Sequence, residues 1–74
     1  MMITVRLFAS FRRTRFKEKR IESKPDTKIA DLLDDLNIPA NEVGILLVNG
    51  IHSKPEHEMK ENDVIAIFPA IGGG

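Results

Sequence analysis

Three consecutive glycines, Gly72 to Gly74, follow an apolar segment at the end of this 74-residue sequence. Glycine has no Cβ, so a glycine segment can pass through a cleft that excludes side chains and present a backbone carboxylate to the active site of another protein. The carboxylate of Gly74 is therefore a candidate reactive group, and Gly72 and Gly73 are candidates for the inserted segment. The alternative is a short frayed tail that has no function.

The other residues of the sequence favour no catalysis of their own. The sequence has no cysteine, which excludes a disulfide framework, a thiolate metal site and a cysteine nucleophile. His52 and His57 match no standard metal-ligand spacing, so we interpret them as part of an exposed polar loop. The sequence also has no Gly-rich phosphate-binding loop and no catalytic triad. We therefore expect no catalytic residue, no metal site and no cofactor.

The elements that would position the glycines follow from hydrophobic patterning. Alternation over residues 3–7 predicts a strand, and residues 15–22 predict an edge strand whose charges discourage edge-to-edge pairing. A stripe of four apolar residues predicts a helix that Asp26 or Thr27 caps and that ends near Asn37, before Pro39. The stripe consists of Ile29, Leu32, Leu33 and Leu36.

The second half of the sequence predicts the rest of a sheet. Residues 45–48 are all apolar, which predicts a strand buried on both faces, and Asn49-Gly50 predicts a tight turn after it. We expect a short edge strand at residues 51–53, a core contact from Met59 and a last strand at residues 64–68. The element order predicts an α+β fold, a mixed sheet with one main helix packed on one face.

Length and composition set the domain organisation. A chain of 74 residues forms one modest core, here residues 1–68, and we expect residues 69–74 to be a flexible glycine tail, because Pro69 cannot donate a ladder hydrogen bond. No apolar run approaches the roughly 20 residues of a membrane helix, and the first residues do not resemble a secretory signal. We therefore expect a cytoplasmic protein without a membrane partner.

Charge is unevenly distributed although the formal net charge is zero. Residues 1–28 contain nine Lys or Arg and three Asp or Glu, whereas residues 29–74 contain two and eight. Such asymmetry can orient the molecule toward a partner. The basic segment at residues 12–20 lacks the interleaved aromatic residues and groove-reading motifs of nucleic-acid sites. We interpret it as a solvated face or a protein-docking patch rather than a nucleic-acid site.

The elements and several short motifs together resemble the ubiquitin-like β-grasp sulfur carriers, namely the small subunit of molybdopterin synthase and the thiazole-synthesis carrier. The resemblance covers essentially the whole sequence and implies the β-grasp fold. The motifs are residues 5–9 at the front, residues 27–33 in the helix, residues 48–50 after the central strand and residues 62–69 before the glycines.

The family resemblance also implies a function. In that family an ATP-dependent, ubiquitin-activating-type enzyme adenylates the terminal glycine, and a sulfur donor converts it to a thiocarboxylate that serves a biosynthetic synthase subunit. The resemblance implies this role for Gly74, in a carrier rather than an enzyme. Residues 8–9 and 68–69 are similar to the molybdopterin branch and the triple glycine to the thiazole branch, so the pathway stays open. The alternatives are a ubiquitin-like modifier conjugated through Gly74 and an interaction module with an idle tail.

Two large apolar residues precede the three glycines closely, Phe68 and Ile71. Apolar groups beside an exposed tail can anchor it on an activating enzyme or a synthase, which makes both residues candidates for partner docking. Core packing is the competing interpretation. We favour core packing for Phe68 and docking for Ile71.

Overall fold

A computed structural model describes residues 1–70 of the chain. These residues form one five-stranded sheet with the strand order β2-β1-β5-β3-β4, so β5 lies at its centre. The main helix, α2, contributes to the core on one face of this sheet. The elements are β1 (Met2–Leu7), α1 (Ser10–Arg13), β2 (Glu18–Glu22), α2 (Ile29–Asp35), a 3₁₀ turn (Ala40–Glu42), β3 (Val43–Val48), β4 (Ile51–His52) and β5 (Val64–Pro69).

The sheet is mixed, as the sequence predicts. β1 and β5 pair in parallel, and the other neighbours pair antiparallel. Alternate residues of each strand therefore face α2, and the residues between them form an outer face that no helix covers in the described chain. The core contains Ile3, Val5, Leu7, Phe11, Ile29, Leu32, Leu33, Ile38, Leu46, Val48, Met59, Ile65 and Ile67.

The helix starts differently from the prediction. Asp26 and Thr27 do not cap α2, because Asp26 adopts a left-handed conformation (φ 65°) and the Thr27 hydroxyl donates to the Lys24 carbonyl at 2.7 Å. The N-cap residue is Lys28, whose backbone N–H donates to the carboxylate of Asp31 at 3.2 Å. An acidic side chain in the first turn also favours the helix dipole. The chain pattern located the helix correctly and its cap wrongly.

The far end of α2 is held by Arg15. The Arg15 Nε donates to the Leu36 carbonyl at 2.8 Å, and Nη2 donates to the Asn37 carbonyl at 3.0 Å. These are carbonyls that a helix end leaves without an internal partner. Asn37 itself takes a left-handed conformation (φ 57°), which ends the helix before Pro39 as expected. Arg15 is thus part of the fold rather than of an open basic surface.

The prediction that residues 45–48 are buried on both faces is wrong. Leu46 and Val48 are buried in the core, but Ile45 is 44% exposed on the outer face. In residues 1–70 a helix covers one side of the sheet only, so alternate side chains of a wholly apolar strand face the uncovered side. The connection after β1 also differs, because it contains the short helix α1, which inserts Phe11 into the core.

Side-chain hydrogen bonds join the turn after β3 to the turn before β5. The Asn49 amide donates to the Asp63 carboxylate at 2.9 Å, and the Asn49 side-chain oxygen accepts from the Val64 N–H at 2.9 Å. Asp63 also accepts from the Lys60 N–H at 2.8 Å and is buried. Asn49 and Gly50 have positive φ angles (53° and 82°), which confirms the predicted tight turn. This network fixes where β5 begins.

None of the helices in residues 1–70 is long and apolar enough to cross a membrane.

Candidate docking site at the end of β5

The central strand β5 ends just before the predicted reactive segment, which comprises residues 71–74. β5 ends at Pro69, which pairs with Val43, and the Ala70 N–H donates to the Glu42 carbonyl at 2.7 Å. Contacts with the fold therefore continue two residues past the boundary expected at residue 68. The four predicted site residues Ile71, Gly72, Gly73 and Gly74 lie outside the described residues, and the mobility of their segment stays a prediction.

Phe68 lies on the outer face of the sheet, so the interpretation that it packs in the core is wrong. Its ring stacks on that of Phe8, with centroids 4.0 Å apart and an interplanar angle of 7°. The guanidinium carbons of Arg6 and Arg12 lie 5.6 and 5.5 Å from the Phe8 centroid, within cation–π range. Both rings are partly exposed. The pair is therefore an apolar surface with basic groups at its rim.

An apolar groove continues this surface toward the end of β5. Its volume is about 450 Å³. Ile45 lies opposite Phe68 in the β3–β5 register, so the two side chains share the outer face. The groove is lined by Ala9, Gly44, Ile45, Phe68, Pro69 and Ala70. We refer to Phe8, Ile45, Phe68 and Pro69 as the outer-face patch.

Gly44 lets the chain segments meet at this groove. A Cβ at this position would lie 2.7 Å from the Ala70 Cα and 2.8 Å from the Pro69 oxygen, which is closer than side chains tolerate. The β3–β5 register also shifts between Val43 and Ile45, as a β-bulge does. The absence of a side chain at Gly44 therefore allows Pro69 and Ala70 to pass close beside β3.

The backbone at Ala9 is strained beside the same groove. Ala9 has φ 51° and ψ −130°, a combination that favours glycine over residues with a Cβ. Such strain is found mainly where the surrounding structure enforces it, often at functional sites. Here Ala9 turns the chain from β1 into α1, which lets Phe8 stack on Phe68 and Phe11 enter the core.

The basic residues in and just after α1, the helix that follows the patch residue Phe8, have unequal roles. The Arg12 Nε donates to the Leu7 carbonyl at 3.2 Å, and Arg15 is bound to the end of α2. Arg13 is exposed at the last position of α1. Arg13 is thus the arginine of this group best placed to act through its charge alone.

Among residues 1–70, no three histidine, aspartate or glutamate side chains are grouped so that they could hold a metal ion.

Sequence reasoning found Phe68 as a docking candidate but missed three residues of the site. Phe8 entered only as part of a family motif, and Ile45 was predicted to be buried. Gly44 was not identified as a site residue. A glycine inside a strand can mark a bulge, a bend or the close approach of another backbone segment, and only the contacts with that segment distinguish these cases. The expectation of one main helix on one face of the sheet, applied to residues 45–48, would have predicted that alternate side chains of this all-apolar strand face the surface.

A mixed five-stranded sheet with one main helix on one face and its last strand at the centre is the ubiquitin-like β-grasp fold. The chain belongs to the ThiS family, whose model matches residues 5–74. It is therefore a small protein of the ubiquitin-like carrier kind. A search of curated proteins gave no match.

Solved structures with the same fold include several proteins of low sequence identity. A protein described as molybdopterin converting factor subunit 1 from Pyrococcus furiosus is 23% identical with a TM-score of 0.79, covering 96% of this chain and 99% of that one. Small archaeal modifier protein 1 from H. volcanii is 19% identical with a TM-score of 0.77, covering 95% and 98%. A complex of subunits 1 and 2 of molybdopterin-converting factor from Helicobacter pylori gives 21% identity and a TM-score of 0.65, with full coverage of both chains. At these identities the likeness establishes the fold.

Proposed function

We propose that this chain is a sulfur carrier that acts through Gly74. In this proposal an ATP-dependent enzyme of the ubiquitin-activating type adenylates the Gly74 carboxylate, and a sulfur donor then converts it to a thiocarboxylate. The observation that carries the proposal is that the ThiS family match continues through residue 74 and so includes the three glycines.

The carboxylate requires activation because its oxygen is a poor leaving group. Transfer of AMP from ATP to this oxygen releases pyrophosphate and gives an acyl-adenylate. Hydrosulfide released by the donor attacks the carbonyl carbon and AMP leaves, so that a C–S bond replaces the C–O bond to AMP and the free thiocarboxylate forms. The thiocarboxylate then supplies sulfur to a biosynthetic synthase subunit for molybdopterin, thiamine or a related product. The chain is a co-substrate, and its partners supply the catalysis.

The position of Ala70 supports a docking role for the outer-face patch. Ala70 is bonded to Glu42, and an extended chain gains at most about 3.6 Å per residue. The four residues 71–74 therefore place the carboxylate no more than roughly 14 Å from Ala70. An active site that receives Gly74 must approach the groove beside Phe68 and Pro69. We propose that the patch, together with Ile71, docks the activating enzyme and the synthase subunit.

The intact mass of the protein tests the carrier function. The full chain is incubated with ATP, a sulfur source and cell extract, and we expect the mass gain of one oxygen replaced by sulfur. Deleting Gly74, or adding one glycine after it, should abolish this gain at nearly unchanged melting temperature, because small misplacements in an active site are costly. The control Ile51→Ala, on edge strand β4, should react like the wild type. A fully active deletion variant would reject Gly74 as the reactive residue.

The same experiment separates the alternatives. A protein modifier is favoured by the shared fold of small archaeal modifier protein 1, and it would shift the mass of other proteins by that of this chain. An interaction module with an idle tail would give neither change.

Docking is tested by calorimetry with the activating enzyme. Phe68→Ala and Ile71→Asp should each weaken binding by more than about 1 kcal/mol, the level that distinguishes anchoring residues from neutral contacts. Ile51 is 71% exposed but lies on edge strand β4, opposite Val48 at the end of β3 that is far from Ile45, so Ile51→Ala is the matched control and should bind normally. Circular dichroism confirms that each variant is folded. Wild-type affinity in both patch variants would reject the proposed docking surface.

A further inference from the structure

Strand β2 lies at one edge of the sheet, with β1 as its only neighbouring strand in the described chain. The Leu7 N–H donates to the Lys17 carbonyl at 3.0 Å, and the Ser23 N–H donates to the Met1 carbonyl at 2.8 Å. In an antiparallel ladder the hydrogen-bonded residues alternate, so residues 17, 19, 21 and 23 bond to β1. The N–H and C=O groups of Glu18, Arg20 and Glu22 therefore point to the open edge.

Along this edge, two pairs of residues at equal distances on the two sides of Ile21 carry opposite charges. Arg20 and Glu22 flank Ile21 with opposite charges, and Glu18 and Lys24 lie three residues to either side, again with opposite charges. Glu18, Arg20 and Glu22 are opposite Arg6, Thr4 and Met2 of β1 and thus share the outer face. Ile21 is opposite Ile3 and is partly buried against the core.

We propose that β2 is a self-association edge, which pairs antiparallel with β2 of a second copy of this chain about a twofold axis at Ile21. In this register Arg20 of each copy lies opposite Glu22 of the other, and Glu18 lies opposite Lys24. Ile21 faces Ile21 of the second copy beside the core. Opposite charges and apolar pairs directly across a ladder stabilise it.

The backbone geometry agrees with this register. Arg20 and Glu22 are the residues whose N–H and C=O groups are directed to the open edge, and the proposed pairing places them opposite each other as hydrogen-bonded pairs. Ile21 then forms a non-hydrogen-bonded pair, in which side chains approach most closely. The pairing would join two five-stranded sheets into one continuous sheet.

Charge also selects this register over its neighbours. Charged residues on an edge strand usually prevent pairing, because copies in most registers bring like charges together. Moving the axis by one residue toward the N-terminus places Arg20 opposite Arg20, and moving it by one toward the C-terminus places Glu22 opposite Glu22. Of these three axis positions, only the one at Ile21 gives complementary charges on both sides. The edge therefore opposes unspecific pairing and favours one specific pairing.

The proposed dimer leaves the outer-face patch accessible for other partners. The patch lies on β5, on β3 and just after β1, whereas pairing uses only the free side of β2. Self-association is thus independent of the proposed carrier function, and variants of β2 should still form the thiocarboxylate.

Sedimentation velocity over a concentration series of the full chain tests the pairing. We expect concentration-dependent dimers in the wild type. Arg20→Glu or Glu22→Arg should each raise the dimer dissociation constant about tenfold or more, because symmetry makes each substitution reverse two facing pairs. The double variant Arg20→Glu/Glu22→Arg should restore association, and an equimolar mixture of the single variants should form heterodimers. Lys54→Glu, which makes the same change in net charge as Arg20→Glu, should dimerise normally.

A cysteine introduced at the axis gives a second readout. The chain has no cysteine, so Ile21→Cys and the control Ile51→Cys each contain a single thiol. The Cα separation of a non-hydrogen-bonded pair, about 4.5 Å, permits a disulfide. Ile21→Cys should therefore oxidise to a covalent dimer faster than Ile51→Cys. Monomers at all concentrations with equal cross-linking rates would overturn the proposal, and so would dimers that are insensitive to the charge exchange.

Discussion

Asn49 combines a backbone role and a side-chain role at one turn. Its φ of 53° begins the turn into β4, and its amide bonds both Asp63 and Val64 across to the start of β5. Asparagine accepts left-handed angles better than most residues with a Cβ. The sequence indicated the turn from Asn49-Gly50. The bonds to Asp63 are long-range and were not visible in the local pattern.

Replacing Asn49 should therefore destabilise the fold. We expect Asn49→Ala to lower the free energy of unfolding by about 1–3 kcal/mol, because the buried Asp63 carboxylate loses a donor and alanine disfavours the positive φ. Urea denaturation measures this loss. Asn49→Gly removes the same hydrogen bonds without the conformational strain and should be destabilised less. A stability of Asn49→Ala equal to that of the wild type would show that the network contributes little.

At the scale of elements, the spacing of apolar residues predicted the helix and the strand that have a clear periodic pattern. The stripe from Ile29 to Leu36 located α2, and alternation located β1. The pattern failed where tertiary contacts decide the outcome. The four-residue helix α1 is too short for a periodic signal and is held in part by Phe11 in the core. Phe68 and Ile45 were assigned to the interior because hydrophobicity alone cannot distinguish a core face from an uncovered apolar sheet face.

The junction of β3 and β5 also depends on such a contact. Gly44→Ala would place a Cβ 2.7 Å from the Ala70 Cα, so we expect the end of β5 to move and the bond from the Ala70 N–H to Glu42 to be lost. The cost should be about 1–3 kcal/mol, as for other overpacked positions. Hydrogen exchange of the Ala70 amide should accelerate, and thiocarboxylate formation should slow because the direction of the following residues changes.

Gly50→Ala is the control for this effect. Gly50 has a φ of 82° but no atom within 4 Å of an added Cβ, so this variant loses stability through backbone strain alone. Its Ala70 amide should exchange as in the wild type after correction for global stability. Equal acceleration in both variants would contradict a specific role of Gly44 at the end of β5.

At the scale of the whole molecule, the first 28 residues carry a basic excess and the later residues an acidic excess. Nine of the eleven basic residues precede residue 29, among them Arg12 and Arg13 on α1 and Lys19 and Arg20 on β2, whereas eight of the eleven acidic residues follow residue 28. Part of the basic excess is used internally, since Arg15 holds the end of α2 and Arg6 pairs with Glu18 at 3.2 Å. What remains at the rim of the outer-face patch can steer a partner toward it.

Reversing Arg13 should change the rate of encounter more than the lifetime of the complex. Arg13 is exposed and ends α1, directly after Arg12, which lies over the Phe8 ring, so Arg13→Glu reverses a charge next to the rim without removing a group that contacts the stacked phenylalanines. Rim charges act mainly on the association rate, and salt screens them over about 10 Å at 0.1 M. We expect association with the activating enzyme to slow about threefold or more at low salt, with a shallower salt dependence and a nearly unchanged dissociation rate. Stopped-flow binding at several salt concentrations measures both rates. Lys54→Glu makes the same change in net charge away from the patch and should slow association less, so equal slowing in both variants would assign the effect to net charge rather than to steering at the patch.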